Sequence, residues 1–156
     1  MDPLRVIFIC THNSARSQMA EGMLRQWGVG KFEVYSAGTE ATRVRPEAIA
    51  VMAEIGIDIS AHPSKTLDRF IDQPFDCVIT VCDSARQNCP IFPGAEDSAH
   101  WAIDDPAEAT GSEEDRLEAF RRARDELRDR IHIFSIAASR DDLPRPSETL
   151  VVGPDA

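Results

Sequence analysis

Apolar and polar positions fall in blocks along the chain, and the blocks change period. Leu4-Arg-Val-Ile-Phe-Ile9 is a short apolar run and predicts a buried strand. Beyond a small polar loop, Met19, Ala20, Met23, Leu24 and Trp27 recur at helical spacing, which predicts a helix over residues 17–27 stopped by Gly28 and Gly30. Residues 32–37 read as a second strand, with Gly38 at its turn. Residues 46–55 predict a second helix, with Pro46 at its first turn, Ile49, Met52 and Ile55 facing inward, and Gly56 after its end. A third strand covers residues 75–81, where Cys77 alternates with Phe75, Ile79 and Val81, and a short fourth covers residues 100–103. Ser112 and Asp115 have the spacing of a capping box, and Leu117, Phe120, Leu127, Ile131 and Phe134 trace one stripe of the helix that follows.

Strands alternating with helices predict an α/β fold, a flavodoxin-like open parallel sheet of four strands with helices on both faces. The pattern breaks near residue 140, giving a domain over 1–139 and an acidic, Pro-rich tail over 140–156. The tail carries Pro144, Pro146 and Pro154 and one apolar patch, Leu150-Val-Val152, and is expected to be weakly ordered or draped over the domain.

Charge narrows the classes of function. Among 156 residues, 27 acidic side chains face 17 basic ones, a formal net charge of −10. Such a chain is a poor partner for nucleic acid or anionic lipid, and no run approaches the ~20 apolar residues of a membrane helix. A cytoplasmic location is expected, where static disulfides are rare. The four cysteines, Cys10, Cys77, Cys82 and Cys89, therefore call for a chemical reading, and their spacing matches no standard zinc motif. No metal site is predicted. Cys77 reads as a core residue.

Between the first strand and the first helix lie Cys10, Thr11, His12, Asn13, Ser14, Ala15, Arg16 and Ser17, a Cys-x5-Arg motif. A short loop entering a helix N-terminus turns backbone N–H groups inward and makes an oxyanion nest. Arg16 adds a planar fork for two oxygens of a tetrahedral anion. The same donors favour a thiolate nucleophile at Cys10, to which the Ser17 hydroxyl can donate, and Asn13 tolerates the positive φ of a tight loop. In a parallel sheet the ends of strands one, three and four meet at one edge, so Cys10, Cys82 and Asp104-Asp105-Pro106 are expected around one pocket. Cys82 and Cys89 are seven residues apart. If residues 83–89 are helical, their thiols lie ~10 Å apart along the axis, and pairing them requires that turn to unwind.

The stretch FICTHNSARSQMAEG resembles the oxyanion loop of low-molecular-weight protein tyrosine phosphatases, and more specifically the thioredoxin-coupled arsenate reductases built on that fold. VYSAGTE, the GIDIS segment, VITVCDSARQNCP and HWAIDDPA extend the likeness from about Val6 to Ile136. The resemblance implies a reaction. Cys10 attacks arsenate, Asp105 acts as general acid, Cys82 resolves the adduct through a Cys10–Cys82 disulfide, and Cys89 moves it to Cys82–Cys89 for thioredoxin. It implies no tightly bound cofactor, phosphate or sulfate as competing anions, and a monomer. A phosphatase of the low-molecular-weight protein tyrosine type is the alternative, and a weak phosphatase side activity is expected. Ala107-Glu108 after the Asp-Pro pair replaces the aromatics that stack a phosphotyrosine ring, and a thiol-based arsenite sensor is a further alternative. Some members hold potassium near the loop through Asn13, Glu21, Ser36 and an acidic residue where this chain has Lys65, whose ammonium is expected to support Asn13 instead. His12 is expected to contact the anion. Glutaredoxin or mycothiol systems are alternative reductants.

Overall fold

The computed structural model describes residues 3–82 and 95–138. Four strands form one parallel sheet: β1 (Leu4–Cys10), β2 (Phe32–Gly38), β3 (Phe75–Cys82) and β4 (Ala95–Ala102), in the order β2-β1-β3-β4. Three helices intervene or follow, α1 (Arg16–Trp27), α2 (Pro46–Ala53) and α3 (Glu113–Ala138). The open parallel architecture agrees with the alternating pattern.

Side-chain alternation along β1 divides the core. Val6, Phe8 and Cys10 face the larger cluster, with Met19, Met23 and Leu24 of α1, Val51 and Met52 of α2, and Phe120, Leu127, Ile131 and Phe134 of α3. Ile7 and Ile9 face a smaller one with Val78, Phe70 and Phe75, bordered by Tyr35 and Leu67. Among the described residues, then, all three helices pack on one face. The other is closed by the segment around a 3-10 turn at Leu67–Arg69.

The register aligns the strand ends. Cys10 pairs with Gly38, Ile9 with Thr80, and Cys82 with Ala102, so Cys10, Cys82 and the segment after Ala102 share the carboxyl edge. Because β1 lies between β2 and β3, the strand order reverses beside β1, the point at which open parallel sheets form a crevice at their carboxyl edge, here the Cys10 end.

Some boundaries differ from expectation. The fourth strand starts at Ala95 rather than His100, because Ala-Glu-Asp-Ser-Ala lies on an edge strand that has no apolar run. α2 buries Ala48, Val51 and Met52, while Ile49 and Ile55 are only partly covered. The capping box forms as spaced: Asp115 N–H donates to Ser112 Oγ at 3.1 Å, and Ser112 N–H to Asp115 Oδ2 at 3.2 Å. The predicted 83–89 helix and the tail over 140–156 lie outside the described residues.

Candidate functional site

β1 runs straight into the loop 11–15, and α1 begins at Arg16. Ala15, the N-cap residue, supplies no side-chain cap, and the first turn of α1 holds no acidic residue. The positive end of a 12-residue helix therefore meets the loop without an anion of its own. Gly38 lets β2 abut the loop, since a Cβ there would fall 2.6 Å from the Thr11 carbonyl oxygen and 2.8 Å from the Asn13 nitrogen.

Beneath the loop lies a buried polar network whose proton directions can be worked out. Asn13, at φ 50°, is fully buried and accepts at Oδ1 from the Lys65 backbone N–H (2.7 Å) and from Gln18 Nε2 (2.9 Å). A backbone N–H can only donate, so the orientation of the Asn13 amide is settled. Its Nδ2 donates to Ser17 Oγ and to Ser36 Oγ, both at 2.9 Å. Ser36 passes its proton to Glu21 Oε1 at 2.5 Å. Ser17 Oγ, already accepting from Asn13, lies 2.8 Å from Cys10 Sγ, a contact in which the thiol can donate to the hydroxyl and the hydroxyl to a thiolate. Cys10 is free and 2% exposed.

The remaining groups come from distant segments. Arg16 donates through Nη1 to the Ile103 carbonyl (2.8 Å), and its Nη2 lies 3.5 Å from Asp105 Oδ2. Asp105 Oδ1 accepts from the Ala107 N–H at 3.0 Å, while Asp104 is exposed. Of the two aspartates, Asp105 faces the loop arginine. A cavity of about 510 Å³ opens beside the loop, lined by His12, Ser14, Glu40, Thr42, Arg43, Arg45, Pro46, Asp105, Ala107 and Glu108, none of them aromatic.

One expectation changes. The Lys65 ammonium does not serve Asn13. It donates to the Pro63 carbonyl at 2.8 Å and lies 3.8 Å from Glu21 Oε1, while the backbone N–H of the same residue holds Asn13. Burial pushes the Lys65 ammonium below its ordinary value, and Glu21 opposes that shift. The imidazole of His12 is half exposed, lines the open cavity and lies 3.8 Å from Glu40, and the His12 carbonyl accepts from Ser64 Oγ at 3.2 Å.

Gln18 was not singled out by its sequence neighbours. Its Nε2 also reaches the carbonyls of Asn13 (3.2 Å) and Pro63 (2.9 Å), and His62 Nδ1 lies 3.3 Å from its Oε1. Burial lowers the His62 pKa, with Glu21 opposing. Cys77 is buried in the core, as expected. Cys82, fully buried at the end of β3, is disulfide-bonded, and Cys89 lies outside the described residues.

The arrangement sets a thiol beside a hydroxyl at a helix head, a buried guanidinium next to it, and a carboxylate facing that guanidinium. Those parts suit nucleophilic attack on a tetrahedral oxyanion.

The family model for low molecular weight phosphotyrosine protein phosphatase matches residues 5–142. An arsenate reductase of Halalkalibacterium halodurans is 46% identical over 130 residues, covering 83% of this chain and 94% of that protein. A solved arsenate reductase in its phosphate binding state aligns with TM-score 0.73 at 37% identity, covering 85% of this chain and 97% of its own. A thioredoxin-dependent arsenate reductase of Corynebacterium glutamicum aligns with TM-score 0.57 at 28% identity, over 85% of this chain and 63% of its own.

Proposed function

The chain belongs to the low molecular weight phosphotyrosine protein phosphatase family, and from that premise we propose that it is an arsenate reductase working by a three-cysteine relay. The observation that carries this reading is Cys10 Sγ, held 2.8 Å from the Ser17 hydroxyl, with Arg16 and Asp105 facing the same opening.

Arsenate enters the loop and is gripped by the Arg16 fork and backbone N–H groups at the head of α1. The Cys10 thiolate attacks arsenic, and Asp105 gives its proton to the departing oxygen, which leaves as water. Cys82 then attacks the Cys10 sulfur. The As–S electron pair goes to arsenic, arsenic(V) becomes arsenic(III), and two thiolates become the Cys10–Cys82 disulfide. Cys89 attacks Cys82, frees Cys10 and forms Cys82–Cys89. Thioredoxin reduces that pair, which closes the cycle without a tightly bound cofactor. A disulfide at Cys82 beside a free Cys10 thiol supports this final state.

Phosphate fits the same loop, so it and sulfate should compete. The cavity beside the loop lacks an aromatic wall, which supports only a weak activity on small phosphate esters. The residues matched to a potassium site do not fit a bound cation here. Asn13 turns its amide nitrogen toward Ser36, Ser36 donates to Glu21, and the Lys65 ammonium stands beside Glu21. Potassium added at fixed ionic strength is therefore expected to leave turnover unchanged.

The deciding experiment follows arsenate-dependent NADPH consumption with thioredoxin and thioredoxin reductase, beside phosphate-ester hydrolysis. Cys10→Ser should abolish both activities. Cys82→Ser and Cys89→Ser should stop repeated reduction while sparing ester hydrolysis. Sustained reduction by either of the last two variants would rule out the relay.

A further inference from the structure

Five large hydrophobic side chains are exposed among the described residues, and four lie at or just beyond the C-terminal ends of α1 and α3: Trp27, Val29, Ile133 and Ile136. They are not scattered. A groove runs between Gln26 and Trp27 on one side and Arg128, His132 and Ile133 on the other. Ile136 continues the Ile133 face one helical turn further on. Ile133 and Ile136 are more than half exposed, whereas Ile131 and Phe134 of the same helix are buried, with Phe134 stacked on Phe32 at 5.6 Å. α3 is thus apolar on two sides, and the domain covers only one. A patch of this kind on a soluble chain marks a surface that something covers.

The chain supplies an occupant. Residues 139–156 follow directly from α3 and contain one apolar triplet, Leu150-Val151-Val152. Eleven residues separate Ala138 from Leu150, a reach of up to ~40 Å when extended. Ile133 lies only ~8 Å back along the helix from Ala138. Tethering gives the triplet a local concentration of about millimolar, enough for a small apolar contact to persist.

We propose that Leu150-Val151-Val152 folds back into the groove between the ends of α1 and α3 and covers Trp27 and Ile133. The tail then acts as an intramolecular cover for a face remote from the Cys10 loop, and it keeps that face from associating.

Trp27 is a built-in reporter, because the other tryptophan, Trp101, is fully buried. Acrylamide quenching of the full chain should rise at least twofold in the triple variant Leu150→Asp, Val151→Asp, Val152→Asp. Ile133→Glu, which leaves the tail intact, should give the same rise. Adding it to the triple variant should change nothing further, since both break one contact. Arsenate reduction should stay within twofold of the parent throughout. Equal quenching in parent and triple variant would overturn the proposal. So would protection of Trp27 that appears only as the mass doubles with concentration, which gives the groove to a second copy. Protection that appears only on adding thioredoxin would overturn it as well.

Discussion

The molecule contains two polar networks of similar size and opposite character. One lies under the Cys10 loop and joins Asn13, Ser17, Gln18, Glu21, Ser36 and Lys65, all buried. The other ties α2 to α3 at the surface. There Glu54 accepts from Arg121 at 2.9 Å and from Arg124 at 2.7 Å, and Arg121 also reaches Glu114 at 2.7 Å and Glu118 at 3.2 Å. The surface network holds more formal charge, yet apart from the buried Arg124 its groups are open to water and mobile ions. In the buried network each donor has a specified acceptor, and no solvent replaces one that is lost. Charge density is therefore a poor guide to which network matters. The largest consequences belong to the one with fewer ions and no slack, and it ends on a sulfur.

The sharpest separation between the two should appear in turnover. Cys10→Ser is expected to abolish arsenate reduction, a loss beyond ~10³-fold. Arg16→Lys keeps the charge but loses the fork and the bond to the Ile103 carbonyl, so kcat/KM should fall by ~10²-fold. Glu54→Ala should leave both kinetic constants within twofold. A comparable loss in Glu54→Ala would mean that the surface network feeds the site, and the contrast would collapse.

Stability should show the same order. Asn13→Ala strands the Lys65 N–H, removes one of three acceptors from the Gln18 amide and a donor from Ser17 and Ser36, at about 2–3 kcal/mol. It also places a Cβ-bearing residue without a local polar partner at φ 50°, adding about 1 kcal/mol. Asn13→Gly should recover that last part alone, and urea denaturation of the pair separates the two contributions. Glu54→Ala should cost under about 1 kcal/mol in the same assay.

How much of this could be read beforehand follows the range of the interactions. The strand, loop and helix at Cys10, and the Ser112–Asp115 box, depend on neighbours in the chain and are legible from spacing. The pairing of Asp105 with Arg16 could be expected from strand order, since parallel strands gather at one edge. Gln18 and Gly38 carried no local signal, because their partners come from Pro63, Thr11 and Asn13 in other segments. Lys65 was legible by its charge but not by its atom. The flexible stem takes the ammonium to Glu21, and the backbone N–H, common to every residue type except proline, does the work at Asn13. The start of β4 was hidden because an edge strand facing water needs no apolar run.

The smallest expected effect is also the one that best tests why the networks differ. The Glu54 carboxyl is held below its ordinary 4.5, first by the hydrogen bond from Arg121 and then by that from Arg124. With a folded value below the unfolded one, its contribution is present above about pH 4.5 and is lost as pH falls through the lowered value. The stability gap between the parent and Glu54→Gln should therefore be small at pH 7, narrow below pH 4.5, and shrink further in high salt. The gap between the parent and Asn13→Ala rests on neutral hydrogen bonds in a water-free site, so salt should leave it intact at pH 7. A Glu54→Gln gap indifferent to both acid and salt would mean that its bonds are sheltered like those of Asn13, and the two networks would then differ in place but not in kind.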